Sequence, residues 1–204
     1  MTQNNRPFII GVSGGIGSGK STVSAFMAKR EDACLIDADL LSREAVADKN
    51  ILSAIKKHFG IGVFDENGDL RRRELGRIIF SSPEEREFLN SLTHPYIRNR
   101  FFELVKENCD KKFIIYDCPL LFEASLCEDV DVSVLVFVSK EAQTERIMAR
   151  DGFDREEALM RIEAQMDTEE KLKLADCVIY NDADLNALEK TCERLPDMLR
   201  EKCR

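Results

Sequence analysis

Residues Gly14-Gly15-Ile16-Gly17-Ser18-Gly19-Lys20-Ser21 spell the pattern G-x-x-x-x-G-K-S in full. Each position has a chemical reason. Glycines let successive backbone N–H groups turn toward one oxyanion, and the start of a following helix adds partial positive charge. A lysine at position 20 reaches β- and γ-phosphates, and the Ser21 hydroxyl is a ligand for Mg²⁺. The expected ligand is a nucleoside triphosphate held by Gly15, Ile16, Gly17, Ser18, Gly19, Lys20, Ser21 and Thr22. The competing reading is a glycine-rich turn that binds nothing. Placement argues against it, because the apolar run Phe8 to Val12 precedes the pattern and a helical stretch from Ser21 to Arg30 follows it.

Carboxylates and guanidinium groups recur farther along the chain. Asp39 follows the short apolar run Cys34 to Ile36, at the carboxyl end of a strand, where ligands of parallel sheets bind. It can take the proton of an attacking hydroxyl, or it can cap a helix. Arg43, four residues on, shares a helix face with it and either binds a substrate phosphate or pairs with Asp39. Asp117 ends the run Phe113 to Tyr116 and is placed to hold Mg²⁺, directly or through water. Arg146, Arg150, Arg155 and Arg161 flank a break at Asp151-Gly152. As a group they suit a closing lid that spreads positive charge over a transferring phosphoryl group; singly, each reads equally as a solvated helix face paired with Glu145 or Glu157. Arg71, Arg72, Arg73 and Arg77 face a substrate pyrophosphate or simply water. His94 before Pro95 reads as a substrate contact or as a structural group at a helix entry. Asn181, after the last strand, is a candidate for the adenine pocket.

The elements that must position these groups follow from periodicity. Strands are expected at 8–12, 34–36, 113–116, 132–138 and 177–180, and the near-continuous apolar run at 132–138 suits a strand covered on both faces. Ser139 caps a helix to about Arg150, and Asp154 with Glu157 forms a capping box opening a helix to about Met166. A terminal helix runs from about Leu185 to Glu201. Residues 50–111 carry turn signals and helical spacing but no strong strand. The alternation predicts an α/β fold: a parallel sheet of about five strands flanked by helices, with right-handed crossovers. In that fold 6–49 and 112–204 form a nucleotide-binding core, 50–111 a helical insertion, and 146–166 a lid.

The chain has 204 residues, with 30 Lys+Arg against 38 Asp+Glu, a net charge of −8. That balance excludes a general nucleic-acid binder, whose surface must be positive, but not a small phosphorylated substrate. No apolar run approaches a membrane span. Seven cysteines in irregular spacing, with no C-x-x-C and no leader sequence, read as reduced thiols of a cytoplasmic protein rather than a zinc site. A monomer or weak homo-oligomer is expected. A guanine-reading N-K-x-D is lacking, since Asn108-Cys109-Asp110-Lys111 has the wrong order. The size, the helical insertion and the late arginines suit a small-molecule kinase. A non-catalytic nucleotide-binding protein is disfavoured by the intact Lys20, Ser21 and Asp39.

Several ordered motifs then carry a family resemblance. Gly14 to Thr22, Ile36-Asp37-Ala38-Asp39 with Arg43, Leu92-Thr93-His94-Pro95-Tyr96-Ile97, Pro119-Leu120-Leu121-Phe122-Glu123, the series from Arg146 to Gln165, and Ala175-Asp176-Cys177-Val178-Ile179-Tyr180-Asn181 together resemble dephospho-coenzyme A kinase. Ser13 stands where that family has Thr, and Arg71 where it often has an acidic residue. The resemblance covers Ile10 to about Asn181. It implies a P-loop kinase in which ATP, with Mg²⁺, phosphorylates the 3′-hydroxyl of dephospho-CoA to give CoA and ADP. It further implies that Asp39, Lys20 and Arg146 are catalytic, that Arg150 and Asn181 join the loop in holding ATP, and that Ser21 and Asp117 hold the metal. Dephospho-CoA would then contact Asp39, Arg43, His94, Leu121, Arg146, Arg155 and Arg161, and the insertion would be a CoA-binding domain. A kinase acting on another acceptor, a nucleoside or nucleotide, is the alternative that an acceptor panel separates.

Overall fold

The structure, a computed structural model, describes residues 6–182 and 185–203. Every apolar run read as a strand is one: β1 (Phe8–Gly14), β2 (Ala33–Asp37), β3 (Phe113–Asp117), β4 (Val132–Phe137) and β5 (Cys177–Tyr180). All pair in parallel in the order β2-β3-β1-β4-β5. The runs are apolar throughout because both sheet faces are covered. Ile10, Val12, Ile115, Val134 and Ile179 pack with Val23, Phe26 and Met27 of helix α1 (Lys20–Met27) and with Leu188, Cys192, Leu195 and Leu199 of α9 (Leu185–Lys202). Alternate residues Ile9, Ile114, Tyr116 and Leu135 are buried as well. Each such side chain contributes on the order of 1.5–3 kcal/mol by leaving water.

Two aspartates lock register where apolar packing cannot. Asp131 accepts the Ile9 N–H at 2.8 Å. Asp176 accepts both the N–H and the hydroxyl of Ser133, at 2.8 and 2.6 Å, tying the entry of β5 to the start of β4. Burial would leave these backbone donors unsatisfied without the carboxylates.

After β2 the chain enters α2 (Ala38–Ala45), α3 (Lys49–Phe59), a 3₁₀ turn at Ile61–Val63, α4 (Arg72–Ser81) and α5 (Pro83–Glu107). Asp48 caps α3 by accepting from Asn50 and Ile51, and Gly60 stops it at φ 78°. The chain divides into two compact units, Met1–Asp37 with Glu107–Arg204, and Ala38–Lys106. The helical unit thus begins earlier and ends earlier than the 50–111 expected from turn signals. Packing decides the boundary: Ala45 of α2 is fully buried in one cluster with Ile51, Ile55, Val63, Phe64, Leu75 and Leu89. Pro95 lies inside α5, so His94 is not at a helix entry; the proline cannot donate to the preceding turn.

The other helices are α6 (Lys140–Asp151), α7 (Arg155–Glu163) and α8 (Thr168–Leu174). The expected caps are present, Ser139 on Ala142 and the Asp154–Glu157 box. A further expectation is corrected. The helix opened by Asp154 ends at Glu163 rather than Met166, because Asp167 accepts from the Glu169 N–H and starts α8, a helix the spacing did not reveal. No helix among the described residues is long and apolar enough to cross a membrane.

Candidate active site

Parallel pairing brings one set of functional groups to the carboxyl ends of the strands. The phosphate loop leaves β1 at Gly14 and delivers its chain into α1, whose N-cap is Gly19 at φ 84°. Register places Asp37 opposite Asp117 at the tips of β2 and β3, and Asn181 follows β5. Lys20 pairs with Asp117, both nearly buried. The loop therefore has its cation, its hydroxyl at Ser21 and a carboxylate within one unit. Ser21 and Thr22 are exposed at the start of α1, where the Thr22 and Val23 N–H groups both turn back to the Gly19 carbonyl.

The outer side of the loop is held by side chains that meet its backbone. Asn181 donates from Nδ2 to the Ser18 carbonyl at 2.7 Å, and a side chain at position 19 would collide with that amide, so Gly19 is required by a neighbour as well as by its own φ. Arg146 of α6 reaches the Gly17 and Ser18 carbonyls at 3.4 Å each and the Asn181 carbonyl at 2.9 Å. Gln143, also on α6, donates to the Ile16 carbonyl at 3.1 Å and occupies the space a Cβ at Gly15 would need. Gln165 accepts from the Ile16 N–H at 2.8 Å. Of these four, only Arg146 and Asn181 stand among the candidates chosen from sequence. Gln143 carries no motif signal, and Gln165 was visible only as part of the arginine-rich series.

The remaining arginines have local partners. Arg150 makes two bonds to Asp151, holding that carboxyl below its usual range. Arg155 grips Glu141 through both guanidinium nitrogens at 2.8 Å and lowers its titration in the same way. Arg161 stacks on the Phe153 ring, its guanidinium carbon 4.0 Å from the centroid. Exposed ion pairs such as these contribute little to stability. Leu121 is fully buried with its methyl groups against Gly11, so its side chain is part of the core.

Within the helical unit, Asp39, Ser42 and Arg43 of α2, with Val46 just after it, face Leu70, Arg72, Leu75, Gly76 and Ile79 around a cavity of about 330 Å³. Two guanidinium groups, a carboxylate and an apolar floor suit an anionic organic molecule. Arg72 thereby separates from Arg71 and Arg73, which the charge run alone did not allow. His94 is exposed on α5.

The family model for dephospho-CoA kinase matches residues 8–187. A dephospho-CoA kinase of Carboxydothermus hydrogenoformans is 42% identical over 95% of this chain and 93% of its own. The crystal structure of TT1252 from Thermus thermophilus superposes with a TM-score of 0.83 at 36% identity, covering 96% of this chain and 98% of that one. The dephospho-CoA kinase from Campylobacter jejuni superposes at 0.60 with 29% identity, covering 94% and 96%.

Proposed function

The chain belongs to the dephospho-CoA kinase family, and on that premise we propose how its residues divide the transfer of the ATP γ-phosphoryl group to the 3′-hydroxyl of dephospho-CoA. The observation that carries the reading is a match running through phosphate loop, helical unit and lid alike, over residues 8–187. The products are CoA and ADP.

The loop amides from Gly15 to Thr22 bind the triphosphate, and Lys20 supplies positive charge where it accumulates on the β- and γ-oxygens. The fit for Mg²⁺ rests on donor chemistry: the Ser21 hydroxyl and the Asp117 carboxylate are hard oxygen ligands, and this ion takes one or two such groups besides phosphate and water. When bound it would shield phosphate charge. Asp39 accepts the proton of the 3′-hydroxyl as that oxygen bonds to the γ-phosphorus and the bond to ADP breaks. Its position one residue beyond Ala38, at the start of α2, supports that role, as does the anion-suited cavity it shares with Arg43 and Arg72. Arg43, Arg72 and His94 bind dephospho-CoA in the helical unit. Arg146 bridges loop and lid and faces the transferring group, while Arg150, Arg155 and Arg161 trade carboxylate or ring partners for ligand charge when the α6–α7 lid closes over ATP and excludes water. Asn181 sets the loop's outer wall beside the base. The seven cysteines are free thiols, which supports action in a reducing cytosol.

The test is an acceptor panel. With ATP and Mg²⁺, dephospho-CoA should stimulate ADP release with one CoA formed per ADP, and nucleosides or nucleotides should not. ADP release indifferent to dephospho-CoA overturns the reading.

A further inference from the structure

One residue at the crest of the phosphate loop has both of its backbone polar groups taken by side chains at the two ends of a single helical hairpin, one within its first helix and one just past its second. The Ile16 N–H donates to Gln165 Oε1 at 2.8 Å, and the Ile16 carbonyl accepts from Gln143 Nε2 at 3.1 Å. Gln143 stands near the start of α6 and is 4% exposed; Gln165 follows the end of α7, and these helices pack on each other. Chain on the far side of Gln165 is tied down. Asp167 caps α8, and Lys171 on that helix, 2% exposed, pairs with Glu123 at 2.6 Å. By contrast, among the described residues of α7 only Ala158 is buried. Gln165 therefore sits at the joint between an anchored helix and one that lies largely in water.

Both bonds depend on the same pair of peptide planes. The N–H belongs to the 15–16 peptide and the carbonyl to the 16–17 peptide, two planes joined at the Ile16 Cα. Refitting this residue to phosphate oxygens by rotation about its φ and ψ therefore bears on both bonds and is felt at both hairpin roots. We propose that Gln143 and Gln165 are positioning residues that couple the α6–α7 lid to occupancy of the phosphate loop, each acting through the backbone of Ile16. The inference rests on the lid reading above. Neither side chain needs to touch a substrate. Their work is to make the lid respond when the loop fills, a coupling commonly worth five- to 150-fold.

The experiment uses the full chain. Amide hydrogen exchange across 153–163 is measured with and without a non-hydrolysable ATP analogue and Mg²⁺, beside steady-state kinetics and the ADP-to-CoA ratio. In the parent protein the analogue should slow exchange there. In Gln165→Leu the slowing should largely vanish, analogue affinity should fall at least about fivefold because the coupling is reciprocal, kcat should fall about tenfold, and ADP should exceed CoA as water competes. Gln165→Glu keeps an acceptor oxygen and should restore the slowing. Gln143→Leu should match Gln165→Leu, and the double variant should be no worse than either, since both act through one residue. Normal slowing and normal kcat in Gln165→Leu overturn the coupling alone. So does a loss of rate that only tracks a lowered Tm and is not rescued by Glu. Absence of slowing in the parent removes the lid reading and the coupling with it.

Discussion

The sheet unit and the helical unit both have apolar cores but differ in the polar contacts added to them. In the sheet unit, polar side chains ranging from the buried Asn181 and Gln143 to the exposed Asp176 meet specific backbone atoms: Asp176 on Ser133, Asp131 on Ile9, Asn181 on Ser18, and the two glutamines on Ile16. In the helical unit the core is an aliphatic and aromatic cluster, and the ionic contacts, such as His58 with Glu85 and Arg77 with Glu74, lie on its surface. Directional bonds hold a loop to within tenths of an ångström, as a phosphate cradle requires. Apolar packing holds a surface whose side chains can change without undoing the fold. The difference matches a common triphosphate on one side and a particular acceptor on the other.

The largest effect should come from the sheet unit. Lys20→Ala should lower turnover by about 10³ with the fold intact by circular dichroism, and an active variant breaks the loop assignment. Asp39→Asn, in the helical unit, should lower kcat by about 10² while ATP affinity measured by calorimetry stays put. Unchanged turnover would reduce Asp39 to a helix cap.

Stability sharpens the contrast next. Ile55→Ala, at a site with no exposure, should cost about 2–5 kcal/mol in denaturant unfolding through a cavity. Asp176→Ala should cost about 1–3 kcal/mol by stranding the Ser133 N–H. Equal tolerance of apolar and polar truncation in the two units would erase the distinction. Smaller still, Arg72→Ala should raise KM for dephospho-CoA about tenfold, near 1.4 kcal/mol, and leave KM for ATP alone. A change in the ATP term instead would move Arg72 to the wrong substrate.

The mildest effect is acidic. Lys112 and Arg30 hold Asp197 below its ordinary value of 3.8, and Arg30 does the same for Asp32. Both carboxyls are depressed in the folded chain, so their stabilisation is complete above 3.8 and is lost as pH falls through the lowered folded values. The Tm advantage of the parent over Asp197→Asn should therefore shrink below about pH 3.8. A constant gap would detach that network from stability.

Local signals were enough for the strands, for the Ser139 and Asp154 caps, and for the strand-to-helix setting of the phosphate loop, because each depends on residues a few positions apart. They were not enough for α8, a seven-residue helix too short to show a period, or for the boundary at Ala38, which depends on where Ala45 packs. Leu121 shows the same limit: its motif drew attention to substrate, while Gly11 on a distant strand claims its side chain.

From its residues alone this chain determined that glycines, a lysine and a serine would follow a buried strand, and so that a triphosphate would be bound. Tertiary structure decided which side chains close around the outside of that loop. Gln165 lies 149 positions from Ile16 and Asn181 163 from Ser18. A hydrogen bond is chosen by where its donor and acceptor meet in space, and nothing in a short window of sequence records that meeting.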